Sequence, residues 1–75
     1  MVYEKIRAIL ARELYTEIEK IDHNTLIIED LRADSLDIME AMMAIEDEFN
    51  ISIPDESIQD LKTVDDVVEF IEGML

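Results

Sequence analysis

A chain of 75 residues with 20 acidic and 6 basic side chains carries a net charge of −14 and reads as one small domain, residues 1–75. At that size folding buries only about 60% of the surface the unfolded chain exposes, so stability is marginal and gains from cations, neutralising partners or a bound apolar ligand. The balance excludes nucleic acid as a partner, the absence of cysteine excludes disulfides and thiolate metal sites, and 49% apolar content excludes disorder.

The first element follows from Val2, Tyr3, Ile6, Ile9, Leu10 and Leu14, which recur at helical spacing while Glu4, Lys5, Arg7 and Arg12 fill the other face. They predict an amphipathic helix over roughly residues 2 to 15. Between Thr16 and Asp34 the periodicity fades, yet Ile18, Ile21, Leu26, Ile27 and Leu31 keep appearing. A connection this long in a small domain is either functional or conceals an element boundary, and its apolar residues are expected to pin it to the core.

Asp34 and Ser35 are both good N-cap residues, and Asn50 after Phe49 is a stop, so a second helix runs from about Ser35 to Phe49. Pro54 in "ISIPDES" ends the extended stretch and opens a short helix near residues 55 to 60. "TVDD" at Thr63 to Asp66 matches a capping box and opens a last helix with Val64, Val67, Val68 and Ile71 on one face. No strand pattern, repeat or linker interrupts them. The expected fold is all-α, a small bundle of three long helices and one short one.

The second helix carries two apolar stripes. Ile38, Ala41, Met42, Ile45 and Phe49 share a broad face that suffices for a core, while Leu36, Met39 and Met43 lie on another, flanked by Glu40, Glu46 and Asp47. The second stripe either packs under the long connection or forms a docking surface for basic partners, a role suited to flexible thioethers rimmed by acids.

Ser35 has two corresponding readings. It is an ordinary N-cap, or its hydroxyl at the positive end of the helix accepts a phosphate ester. A serine nucleophile needs a neighbouring base, and the one histidine, His23, lies in the connection, with no "GxSxG" elbow anywhere. The carboxylates lack calcium-loop spacing, and no metal site is expected. No apolar run is long enough to span a membrane, and "MVYEKIRAIL" is no secretory signal, so a cytoplasmic, monomeric protein or a processed domain is expected.

"DLRADSLD" (Asp30 to Asp37), "EDEFNISIPDE" (Glu46 to Glu56) and "TVDDVVEFI" (Thr63 to Ile71) together resemble the acyl carrier proteins of dissociated fatty acid synthesis, ungapped over nearly the whole chain. The resemblance implies a non-catalytic carrier whose Ser35, between Asp34 and Leu36, receives 4′-phosphopantetheine from a phosphopantetheinyl transferase that uses coenzyme A and magnesium. The arm's thiol then holds acyl intermediates of fatty acid, polyketide or other lipid biosynthesis as thioesters. It also implies that synthases, reductases and transferases with basic patches dock on Asp34, Leu36, Asp37, Met39, Glu40, Met43, Glu46 and Asp47. The acyl chain is expected to enter the bundle near Ile53, Ile58, Leu61 and Val67, at about 0.8 kcal/mol per buried methylene.

Two positions depart from the family. Glycine is common there at the place of Arg32 and near Tyr15, and Arg32 sets a cation beside the expected phosphate, where it pairs with it or discourages a basic partner. Two alternatives stand beside the acyl carrier. One is an acidic helical adaptor that is never modified, and the other is a carrier of aminoacyl or peptidyl groups.

Overall fold

A computed structural model describes residues 2–75. Five α-helices follow one another: α1 (Val2–Glu13), α2 (Ile27–Leu31), α3 (Ser35–Phe49), α4 (Asp55–Ile58) and α5 (Val64–Met74), with a 3-10 turn at Ile18–Lys20. The three long helices and the short one read from the sequence are all present. α2 is an addition that the apolar pattern did not signal.

α1 lies against both α3 and α5 and supplies Ile6, Ile9 and Leu10 to the core, while Val2, Tyr3 and Leu14 are half-buried at its edge. The helix ends at Glu13, earlier than the pattern suggests. Tyr15 takes a left-handed conformation, φ 53°, and Thr16 N–H donates to the Ala11 carbonyl at 3.1 Å. This six-to-one closure satisfies carbonyls that the last turn leaves open. Asn50 stops α3 in the same way, at φ 55°, with Ile51 N–H donating to the Glu46 carbonyl at 3.1 Å.

α3 buries Ala41, Met42 and Ile45 against α1 and keeps Ile38 and Phe49 half-buried, so the broad face is the core face. Pro54 precedes α4 at φ −63°, an extended residue that costs no hydrogen bond. α5 opens on the expected capping box: Asp66 N–H donates to Thr63 Oγ1 at 3.0 Å, and Thr63 N–H donates to Asp66 Oδ2 at 3.1 Å. Its Val64, Val67, Val68 and Ile71 are buried.

The long connection is pinned, as its apolar residues suggest. Ile21, Thr25 and Ile27 are buried, though Ile18 stays on the surface. Backbone bonds stitch it to the segment before α5: Ile27 N–H to the Lys62 carbonyl, Val64 N–H to Thr25, and Asp65 N–H to His23, each at 3.0 Å. Arg7 Nε adds a bond to the Ile21 carbonyl at 2.7 Å. This stitching carries α2 to the flank of α3 and α4, where a groove forms.

Candidate functional site

The first turn of α3 decides the chemistry open to Ser35. Asp34 is the N-cap, its Oδ1 accepting from Asp37 N–H, while the Asp37 carboxylate accepts from Asp34 N–H. Ser35 is therefore the first helical residue and not the cap. Its side chain is exposed, and among the described residues its hydroxyl has no hydrogen-bond partner. With Asp37 N–H taken by Asp34, the Ser35 and Leu36 amides are the first-turn donors left without an intrahelical acceptor.

Ser35 stands at the edge of a groove of about 670 Å³ between α2, α3 and the α4 region. Apolar Ile28, Ala33, Ile38, Met39, Ile58 and Leu61 line it together with polar Glu29, Asp34, Asp55, Gln59 and Lys62. Of the four residues expected to receive an acyl chain, Ile58 and Leu61 line the groove. Ile53 and Val67 are core residues and do not line it. Ile28 was missed, because nothing in the sequence marked α2 as a helix.

The second stripe of α3 faces outward. Leu36, Met39 and Met43 are 62%, 57% and 58% exposed, so nothing in the long connection covers them. Exposed Glu40 and Asp47 flank them, as does Asp34 at the head of the helix. Two residues expected on this rim are otherwise engaged. Asp37 is half-buried in the capping box, and Glu46, also half-buried, accepts the N–H of Ile53 and so ties the chain leading to α4 back onto α3.

His23 stacks on Tyr3, ring centroids 3.8 Å apart and nearly parallel, and its Nδ1 lies 2.9 Å from Asp65 Oδ1. That places the chain's one imidazole in a contact between α1, the connection and α5, where it is no base for Ser35. Among the described residues no three His, Asp or Glu side chains gather as a metal site. No helix among them is long and apolar enough to cross a membrane.

An uncapped serine at a helix start, open amides beside it and an apolar groove at its side fit a phosphodiester-linked arm. Comparison with known proteins points the same way. The family model described as "Phosphopantetheine attachment site" matches residues 4–71. An acyl carrier protein of Thermosynechococcus vestitus is 49% identical over 72 residues, covering 96% of this chain and 89% of that one. Those of Helicobacter hepaticus and Wolinella succinogenes are 43% and 41% identical over 71 residues, each covering 95% of this chain and 93% of their own. The chain belongs to the family of phosphopantetheine-bearing acyl carriers.

Proposed function

We propose that residues 1–75 act as one carrier domain, that Ser35 is the attachment point of 4′-phosphopantetheine, and that the chain shuttles acyl groups between enzymes without catalysing their reactions. The observation that carries this reading is the division of labour between Asp34 and Ser35. Because the carboxylate of Asp34 caps the helix, the hydroxyl of Ser35 stays available at the surface. In the transfer, Ser35 Oγ forms a new bond to the β-phosphorus of coenzyme A, the pyrophosphate linkage breaks, and 3′,5′-ADP leaves. The hydroxyl proton passes to a base of the transferase, the Asp34 and Asp37 carboxylates beside Ser35 being engaged by backbone N–H groups of the first turn.

When bound, the arm supplies the thiol that a cysteine-free chain lacks, on which acyl intermediates of fatty acid or related lipid biosynthesis ride. The chain's own part is to hold the arm's phosphate at the head of α3 and to offer the groove as shelter for what the arm carries. Leu36, Met39 and Met43, with Asp34, Glu40 and Asp47 around them, are the surface for transferase, synthases and reductases bearing basic patches. Such contacts form quickly under electrostatic steering, weaken with salt, and release readily, as a shuttle requires.

The test is an intact mass after incubation with coenzyme A, magnesium and a broad-range phosphopantetheinyl transferase, with Ser35→Ala beside it. A single phosphopantetheine increment, absent in the variant, is expected. Folded wild-type protein that gains nothing from several transferases returns Ser35 to an ordinary helix residue and leaves an unmodified adaptor.

A further inference from the structure

The phosphodiester lands in a poor electrostatic setting. Asp34 and Asp37 flank Ser35 in the first turn, and the chain already carries −14. Two open amides and the helix dipole oppose that repulsion, but the dipole is worth little more than half a charge. A cation nearby would change the balance, and the chain has only six Lys and Arg.

Three of the six are engaged elsewhere. Lys5 pairs with Glu48, Arg12 with Glu13, and Arg7 binds the Ile21 carbonyl beside the Tyr3 ring. Among the described residues Lys20, Arg32 and Lys62 make no ion pair. Lys20 belongs to the turn after α1, Lys62 lines the groove, and Arg32 ends α2 three positions before Ser35.

Three residues span at most about 10 Å between Cα atoms even when fully extended. An arginine side chain and a serine phosphodiester reaching toward each other close a gap of that size. Arg32 is exposed, and its backbone is left-handed, φ 55° and ψ 38°, a conformation unfavourable for arginine. Its planar guanidinium offers two parallel donors to phosphate oxygens, where the Lys62 ammonium offers a point charge.

We propose that Arg32 is a positioning residue that pairs with the phosphodiester on Ser35, anchoring the base of the arm at the junction of α2 and α3. This rests on the reading of Ser35 given above. The pair exists only after modification, so it makes modification itself stabilising in a salt-dependent way. It also neutralises a positive charge close to the head of α3 once the arm is installed.

The experiment compares unmodified and modified forms of the wild type, Arg32→Gln, Arg32→Lys and Lys62→Gln, each verified by intact mass. Thermal midpoints and the ³¹P resonance of the phosphodiester are measured at low salt and at 1 M salt. The rise in midpoint on modification is expected to be about 2–4 °C larger in the wild type than in Arg32→Gln at low salt. That excess vanishes at 1 M salt, where charges are screened within about 3 Å. Arg32→Lys keeps at least half of it, Lys62→Gln keeps all of it, and the ³¹P line shifts in Arg32→Gln at low salt.

Subtracting the unmodified form removes any change in backbone strain at position 32. Equal rises in wild type and Arg32→Gln overturn the pair, as does loss of the excess in Lys62→Gln or in Arg32→Lys. Absence of the mass increment from folded wild type overturns the Ser35 reading first, so the two failures are told apart.

Discussion

Asp34 and Asp37 cap each other across the first turn of α3: Asp34 Oδ1 accepts the Asp37 N–H at 2.9 Å, and Asp37 Oδ2 accepts the Asp34 N–H at 3.2 Å. Two donors that the helix start leaves open are thereby satisfied by carboxylates, and the serine between them has no structural duty. Stability and modification are therefore expected to separate at adjacent positions. Asp34→Ala lowers stability by about 1 kcal/mol, or roughly 4–8 °C in a domain this small. Ser35→Ala changes it by no more than about 0.5 kcal/mol while abolishing phosphopantetheine transfer. Thermal melts of the two variants decide the matter, and a Ser35→Ala loss as large as that of Asp34→Ala would show the hydroxyl to be a cap after all.

Tyr15, Arg32 and Asn50 all adopt left-handed backbone, φ 53°, 55° and 55°. Only Asn tolerates that region with ease. Tyr15 is 95% exposed, so its ring contributes almost no packing to offset the conformation. Tyr15→Gly is expected to stabilise the domain by about 1 kcal/mol, the relief of the Cβ clash less the added chain entropy of glycine. Asn50→Gly should change little. Melts of both variants test this, and an unchanged midpoint in Tyr15→Gly contradicts the strain assigned to that residue.

How far these features were legible depends on the range of the contacts behind them. α5 could be read because its start is written in four consecutive residues, Thr63 to Asp66, and its face repeats at helical spacing. α2 could not. Its N-cap is Leu26, which has no side-chain acceptor, and five residues are too few to display a period; buried Ile27 and the bond from its N–H to Lys62 hold it in place. With α2 unseen, Ile28 was missed as a residue lining the groove. The paired stripes of α3 were plain in the sequence, whereas the engagement of Glu46 with Ile53, seven residues away, depends on a fold in the chain.

The two stripes of α3 predict opposite phenotypes. Ile45 is fully buried, and Ile45→Ala is expected to cost about 2–5 kcal/mol, a large part of the roughly 4–11 kcal/mol available to a chain of this length. Met39→Ala and Met43→Ala, at more than half-exposed positions, should stay within about 0.5 kcal/mol of wild type in urea melts. Their effect belongs in the partner assay, as a several-fold fall in kcat/KM for the transferase. A large loss of stability in Met39→Ala would mean that the stripe is packing and not a docking surface.

Glu46 illustrates a residue whose place on the acidic rim hides a structural duty. Its carboxylate accepts the Ile53 N–H, fixing the stretch between α3 and α4 and so one side of the groove. Glu46→Ala is expected to cost about 1–2 kcal/mol, in line with loss of a charge-assisted bond at a half-buried site. Glu40→Ala, exposed and without such a bond, should cost almost nothing. Amide exchange at Ile53 is the local readout, and protection of that amide in Glu46→Ala equal to wild type would contradict the assignment.

At the start of α5, the N–H groups of Thr63 and Lys62 hold the Asp66 carboxyl below the usual carboxylate range, against a smaller opposing effect of burial. The native state thus binds its proton less readily than the unfolded chain does. Stability from this carboxylate is complete above the unfolded value of about 3.9 and is lost as pH falls through the lower native one. Asp66→Asn removes the charge and keeps the shape. Its midpoint is expected to lie below that of wild type at pH 7, with the gap narrowing as pH is taken down from about 4. No gap at pH 7, or one that stays constant across that range, would mean that the charge of Asp66 contributes nothing to the capping box of α5.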